Sequence, residues 1–277
     1  MASLAKPGLD KLEAFDPPRY GLLSAVRFRE NPPLGWESSG VQAELAIKGP
    51  VKAWAVDPAT CTWDTANPKS DKTVTVQDNG ADVLPITLSA THECTPTGVS
   101  FGESEALALE LLNRHTEPSL EKAYKNLWVD SHGFWTLELP PATPELSVQT
   151  VTKEQVEFII QALEIQSILQ NGSCTLHIPA ILYSKARRIL TDKGGILRTV
   201  KGSPVILGVG YGPEIRNGAK GHIFATPGTL WGYKTQPIVL PSKETFEHGK
   251  NMLHTTAHQT YAIGYNPGVV YAHPIAI

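Results

Sequence analysis

Leu84-Pro-Ile-Thr-Leu-Ser-Ala-Thr-His-Glu-Cys94-Thr-Pro-Thr-Gly98-Val-Ser-Phe-Gly-Glu-Ser-Glu105 carries the chain into its clearest helical tract. Within it, Ser100-Phe-Gly-Glu103 has the spacing of a capping box: the serine hydroxyl can accept from the Glu103 backbone while the Glu103 carboxylate reaches back to Ser100. Leu107, Leu111 and Leu112 follow at helical spacing. Leu120, Ala123, Tyr124, Leu127 and Trp128 then stand at i, i+3, i+4, i+7 and i+8 and form one apolar face. Pro118 interrupts the pattern, because an interior proline loses a backbone donor and crowds the preceding turn at a cost of ~3 kcal/mol. The tract is read either as one bent helix or as two abutting helices with Thr116 as the second N-cap. In both readings it spans 100–128, well beyond the mean helix of about 11–12 residues.

Before this tract, residues 41–90 read as short strands and turns. Val41 to Ile47, Val51 to Val56 and Thr73 to Val76 alternate with period two, as half-buried strands do. Between them lies a polar tip with Asp57-Pro58, Asn67-Pro68, Lys69, Ser70, Asp71 and Lys72, and Asp78-Asn-Gly80 marks a further turn. Such a hairpin-like excursion has too little core to stand alone in water. The first 40 residues are arm-like: Pro7, Pro17, Pro18, Pro32 and Pro33 disfavour a helix or central strand. The anchors Leu9, Leu12, Phe15, Tyr20, Leu22, Leu23, Val26 and Phe28 suit a segment lying along another surface. Removing residues 1–30 is accordingly expected to leave a folded subunit.

After the tract, Thr152-Lys-Glu-Gln155 is a second capping box. Val156, Ile159, Ile160, Leu163 and Leu169 form the buried stripe behind it, and Asn171-Gly172 the C-cap. Cys174 to Ile178 alternates as a strand. Pro179 is expected to open a helix carrying Ile181, Leu182, Ala186, Ile189 and Leu190, closed by Gly194-Gly195. The remainder is strand-rich, with candidates at 205–209, 222–225, 236–240, 255–263 and 269–277. The whole is a mixed α+β architecture without a repeated βαβ rhythm.

Composition bounds the function. The 277 residues carry 24 Lys+Arg against 27 Asp+Glu, a net charge of −3, which speaks against a generic polyanion binder. Hydrophobic residues make up 41%, too many for wholesale disorder. Charged residues make up only 18%, against about 25% in typical domains, which hints at surface covered in the working state. Met1 to Asp10 holds no apolar segment of the secretory kind, and no apolar run reaches the ~20 residues of a membrane span. Cys61, Cys94 and Cys174 form no C-x-x-C pair and read as reduced, structural thiols of a cytosolic setting.

No catalytic constellation emerges. Gly208-Val-Gly210-Tyr-Gly212-Pro213 lacks the third glycine of a dinucleotide fingerprint and the helix that a phosphate would need, so it reads as a turn after a buried strand. His254-Thr-Thr-Ala-His258 could grip a metal on a helix. The flanking Thr255, Thr256, Thr260 and Tyr261 favour a strand instead, which would set the two rings ~13 Å apart. His248 and His273 are further candidates only if the fold gathers them. There is no G-x-S-x-G, and Glu121 with Lys125 at i, i+4 reads as a solvated pair. The reading is of a non-enzyme with no cofactor or metal, a metal-dependent hydrolase using His254 and His258 being the rival from another class.

The order of parts resembles the major capsid protein of a tailed bacteriophage with the HK97-like fold, most of all the compact versions in phages of actinobacteria. Leu84 to Glu105 is similar to the strand, Cys-x-Pro-x-Gly turn and spine-helix start of those proteins. Gly202 to Ile206, Gly208 to Gly212, His222-Ile-Phe-Ala-Thr-Pro-Gly228, Asn251, the strand Ala257 to Tyr265 and Tyr271-Ala-His-Pro-Ile-Ala276 are similar to their C-terminal third. The family often has Ala-Thr-Gly where Ala225-Thr-Pro227-Gly stands here, and an acidic residue near Asn266. The resemblance implies an N-terminal arm over 1–40, an extended E-loop with its strands over 41–90, a P-domain with the spine helix over 91–149, an A-domain over 150–235, and strands returning to the P-domain over 236–277.

By the same resemblance the chain would self-assemble, as pentamers and hexamers, into an icosahedral head shell around double-stranded DNA held without sequence readout. It would form part of a virion assembled in the bacterial cytoplasm. A separate scaffold or none is implied (the roughly 40 residues before the first strand are too few for a fused one), with a portal, protease or decoration protein as the other partners of such a shell. Some relatives cross-link a loop lysine to an asparagine; Lys69 and Lys72 lie in that region but read as solvated charges or as partners in salt bridges between subunits. The alternative within the same fold is an encapsulin-like shell subunit.

Overall fold

The computed structural model describes residues 19–39, 41–43, 81–94, 100–127, 135–136, 146–147, 151–213, 221–240, 246–247, 252–266 and 268–276. The first of these form helix α1 (Leu22–Ala25), strand β1 (Arg27–Phe28), helix α2 (Trp36–Ser39) and strands β2 (Val41–Ala43) and β3 (Ala81–Val83). Strand β4 (Pro85–Cys94) leads to helix α3 (Phe101–Lys125). Strands β5 (Trp135–Thr136) and β6 (Leu146–Ser147) precede helix α4 (Lys153–Asn171) and strand β7 (Cys174–Pro179). Helix α5 (Tyr183–Ala186) is followed by β8 (Leu190–Lys193), β9 (Ile196–Thr199), β10 (Pro204–Gly208), β11 (Gly221–Pro227) and β12 (Trp231–Lys234). The chain ends in β13 (Ile238–Val239), β14 (Phe246–Glu247), β15 (Met252–Gly264) and β16 (Tyr271–Ala276).

Two sheets organise these elements. In the first, of order β1-β12-β15-β13, the long β15 also pairs antiparallel with β4 and with β14. The second runs β5-β16-β11-β7-β10-β9-β8, with β6 also on β16. Helix α3 packs on β4 and β15, and α4 on β7, β11 and β16. Each sheet therefore hides one face under its own helix. Strands β2 and β3 pair antiparallel, joining the two ends of the excursion; its strands at 51–56 and 73–76 and its tip lie outside the described residues.

The helix ends form as their caps dictate. Glu103 N donates to Ser100 Oγ at 3.2 Å and Ser100 N to Glu103 Oε2 at 2.7 Å. Thr152 and Gln155 repeat the exchange at 3.2 and 2.8 Å. Gly172 closes α4 in the left-handed conformation, φ 79°, its N–H donating to the Ile168 carbonyl at 2.8 Å. Helix α3 passes through Pro118 as one helix. Thr116 is no second cap; its hydroxyl donates back to the Leu112 carbonyl at 2.6 Å.

Three expectations fail in instructive ways. The helix expected from Pro179 is only Ala180–Ile189, split into a 3-10 turn, the four-residue α5 and another 3-10 turn. Gly194-Gly195, expected to stop that helix, instead turns β8 into β9, with φ of 65° and 82°. Finally, Leu22 (0% exposed) and Val26 (8%) belong to the core around α3, and β1 pairs with β12. A chain cut at residue 30 would lose both anchors and β1, so that truncation is expected to open the core.

Two large apolar clusters hold the fold, with a small third one of Ala108, Leu112 and Ala257 between α3 and β15. One joins α3 to both sheets through Leu120, Tyr124, Ile206, Phe224, Trp231 and Ile263; the other lies under α4 around Ile159, Leu163, Leu176 and Ile223. Leu163→Ala is expected to cost about 2–5 kcal/mol, of the order found for buried leucines. Thr152→Ala is expected to cost about 1 kcal/mol by freeing one helical N–H. Denaturant midpoints at equal m-value check both.

Candidate functional site

The sequence-flagged histidines do not converge. His254 and His258 lie on β15, two side chains apart on one face, and their cross-strand partners on β4 are Glu93 and Ser89. His254 Nδ1 approaches Glu93 Oε1 at 3.3 Å. His273 is buried on β16 in the other sheet, and His248 lies outside the described residues. Among the described residues no group of three His, Cys, Asp or Glu side chains is placed to hold a metal. Lys69, Lys72, Cys61 and Asn251 lie outside the described residues, and Cys174 is buried.

The glycine-rich turn is a structural joint. Gly210 is pressed so close to α3 that a Cβ there would meet Pro118 O at 2.5 Å and Lys122 N at 2.6 Å. Only a residue without a side chain allows this approach. Tyr211, next in the turn, is fully buried and T-shaped against Phe224, and its hydroxyl lies 3.1 Å from His177 Nδ1. His177 stacks on Phe224 at 4.2 Å with the rings 4° from parallel, and its Nε2 lies 3.0 Å from Thr226 Oγ1. Burial pushes the His177 imidazole down to about 3, so it stays neutral at working pH.

Across this joint stand two carboxylates that the sequence reading placed in solvent or passed over. Glu117 and Glu121 are 4% and 1% exposed, and Lys125, the supposed solvated partner of Glu121, is buried as well. Glu117 Oε1 accepts the Leu23 N–H at 2.8 Å. Glu121 accepts Leu22 N–H at 3.4 Å on one oxygen and Gly210 N–H at 2.9 Å on the other. One helix face thus ties together the chain near residue 22, α3 and the turn after β10. Burial raises both carboxyls; Glu121, with Glu117 also near, rises to about 7. The legible signal was the glycine spacing at 208–212, which asks for a close-packed neighbour; nothing local to α3 announces that these two glutamates are the neighbour's partners.

Surface features point outward instead of into a pocket. Helix α4 exposes Phe158 (51%), Ile165 (43%) and Leu169 (73%), at i, i+7 and i+11, and Ile181 follows in sequence at 58%. Leu169 was expected in the buried stripe with Val156, Ile159, Ile160 and Leu163; at 3.6 residues per turn it falls on the opposite side of the helix from them, and so it is exposed. Large apolar side chains exposed on one helix suit contact with other macromolecules.

No family model matches the sequence, and no curated protein does. Solved structures do match. The capsid of a native GTA particle, computed with C5 symmetry, superposes with a TM-score of 0.54 at 12% identity, covering 99% of this chain and 96% of that one. A virus-like particle from Pyrococcus furiosus superposes with a TM-score of 0.52 at 10% identity, covering 91% of each chain. At such identities the likeness speaks for the fold, and the fold is the mixed α+β, HK97-like fold of capsid proteins over nearly the full length.

The joint generates a pH dependence. Glu121 binds its proton more tightly folded than unfolded. Its stabilising contribution is therefore complete below the ordinary carboxylate range near 4.5 and is lost as pH rises through about 7. Wild-type unfolding free energy should fall between pH 5 and 8 by up to about 3 kcal/mol from this group. Glu121→Gln should flatten that slope, as read by urea titrations across the range. Gly210→Ala should destabilise at every pH by about 1–3 kcal/mol, because its methyl meets helix backbone.

Proposed function

We propose that the chain is the major capsid protein of a tailed bacteriophage, a non-enzymatic subunit that self-assembles into an icosahedral shell around double-stranded DNA. The observation that carries this reading is the coverage of the fold match: more than nine-tenths of this chain superposes on more than nine-tenths of a capsid and of a virus-like particle chain. The mechanism is geometric. A subunit that presents one surface to a different surface of its neighbour forms rings when the rotation closes, and rings of five and six together close a shell. The apolar residues exposed on α4 and the low charge content support a surface completed by neighbours. An arm over 1–40, an E-loop over 41–90, a P-domain over 91–149 and an A-domain over 150–235 are the parts proposed for that assembly, with 236–277 returning to the P-domain.

Electron microscopy of the purified protein, alone and co-expressed with its neighbouring genes, is the test. Closed shells are expected, and protein that stays monomeric at high concentration under both conditions would sink the reading. Double-stranded DNA inside native particles is expected; a packaged protein in its place would turn the assignment to an encapsulin-like compartment. Stoichiometric zinc that disappears in His254→Ala would instead revive the hydrolase. A truncation starting at residue 19 keeps Leu22, Val26 and β1, and should yield folded subunits that fail to close shells; normal shells from it would remove the arm's role.

A further inference from the structure

Residues 183–201 hold six of the 24 basic residues of the chain and one of its 27 acidic ones, so a protein of net charge −3 carries a strongly positive stretch. The fold makes this stretch one border of the second sheet. Lys185 lies in α5, Arg187 and Arg188 in the 3-10 turn after it, Lys193 at the end of β8 and Arg198 in β9, and β8 is the last strand on that sheet's path. Lys153, from the start of α4, joins Lys185, Arg187 and Arg188 around a recess of about 680 Å³ that Glu154 and Glu157 share.

Some of these cations are engaged. Arg188 Nη2 contacts Glu157 Oε2 at 2.6 Å, Lys185 Nζ donates to the Val151 carbonyl at 2.7 Å and Arg198 Nη1 to the Gly202 carbonyl at 2.7 Å. Asp192, the one acid of the stretch, is held by Arg19 at 3.1 Å and by the Tyr20 hydroxyl at 2.8 Å. Arg187, Lys193 and Lys201 are exposed, and their side chains make neither a hydrogen bond nor an ion pair with any described residue.

We propose that this border binds the phosphodiester backbone of double-stranded nucleic acid, an inference that rests on the shell reading above. Charge on an edge strand commonly serves to stop it pairing with other edges. That role needs cations on β8 alone, whereas here they continue through the preceding 3-10 turn and α5 to the start of α4. Exposed cations along one border, three of them with side chains that have no partner among the described residues, match a row of phosphates, whose binding is driven by counterion release and needs no base contacts. Tyr183 is the one aromatic residue of the stretch, where single-strand binders offer several for stacking. The near-neutral average excludes a generally basic protein; it leaves room for one basic border, which is what backbone binding requires.

The test titrates the purified full-length protein into a labelled duplex of about 20 base pairs and arbitrary sequence, followed by anisotropy from about 50 to 200 mM salt. Binding is expected to weaken steeply with salt. Arg187→Ala/Lys193→Ala/Lys201→Ala should weaken it by on the order of tenfold or more at the lowest salt and reduce the log–log slope by about 2–3, at about 0.9 for each phosphate no longer neutralised. The charge-keeping Arg187→Lys/Lys193→Arg/Lys201→Arg should bind like wild type, and circular dichroism checks that both variants are folded. Equal affinity and slope for wild type and the alanine variant would overturn the proposal. So would polyglutamate displacing the duplex at equal charge concentration, which would assign the border to an acidic protein segment. Shell formation is scored separately by microscopy. Shells with unchanged duplex binding in the alanine variant sink the site alone, and duplex binding through this border by a protein that never forms shells sinks the capsid reading alone.

Discussion

Helix α3 cannot seat against the second sheet without burying Glu117 and Glu121, and the rest of the structure is arranged around that constraint. Two carboxylates one turn apart are costly to desolvate, and more so when both are charged. The fold meets the cost with backbone donors from Leu22, Leu23 and Gly210 and with a Glu121 carboxyl that holds its proton up to about 7. These donors come from two distant parts of the chain, so the carboxylates fix both segments relative to α3. Apolar packing is non-directional and would tolerate sliding; N–H donors aimed at one oxygen pair do not.

The aromatic stack behind the carboxylates carries the same constraint into the sheet. Tyr124 from α3, His177 from β7, Phe224 from β11 and Tyr211 from the turn interlock, with His177 and Phe224 parallel at 4.2 Å. A neutral histidine suits this place, since it offers flat packing area and two ring nitrogens that meet Tyr211 and Thr226. Removing its neutrality would bury an uncompensated cation, which is why burial holds its imidazole so far down. The first and second sheets are thereby joined through α3, while α4 serves the second sheet only.

What the sequence disclosed follows from how local each signal is. Both capping boxes and the αL glycine at 172 formed as read, because a cap is settled within four residues. The long strand at β15 was visible through its β-branched residues, and with it the separation of His254 from His258. Gly194-Gly195 misled because a helix stop and a hairpin turn both call for positive φ; only the pairing of β8 with β9 decides between them. Pro179 misled likewise, being as acceptable at the end of a strand as at the first turn of a helix. Glu121 and Lys125 misled most, since i, i+4 spacing is the same on a wet face and a buried one.

Charge distribution binds these observations together. Glu117, Glu121, Lys125, Glu157 and Glu164 are all buried, so a chain with only 18% charged residues shows still fewer of them to solvent. Several exposed cations lie along one border of the second sheet, and α4 exposes Phe158, Ile165 and Leu169 among its polar residues. A lone domain in water gains nothing from such a surface, which invites association wherever like patches meet. A subunit that must join unlike surfaces in a fixed geometry gains from it twice: exposed apolar residues supply contact area and exposed charges set orientation. The economy of surface charge and the expense of two buried glutamates then serve one requirement, a rigid body whose outer faces are unfinished until neighbours cover them.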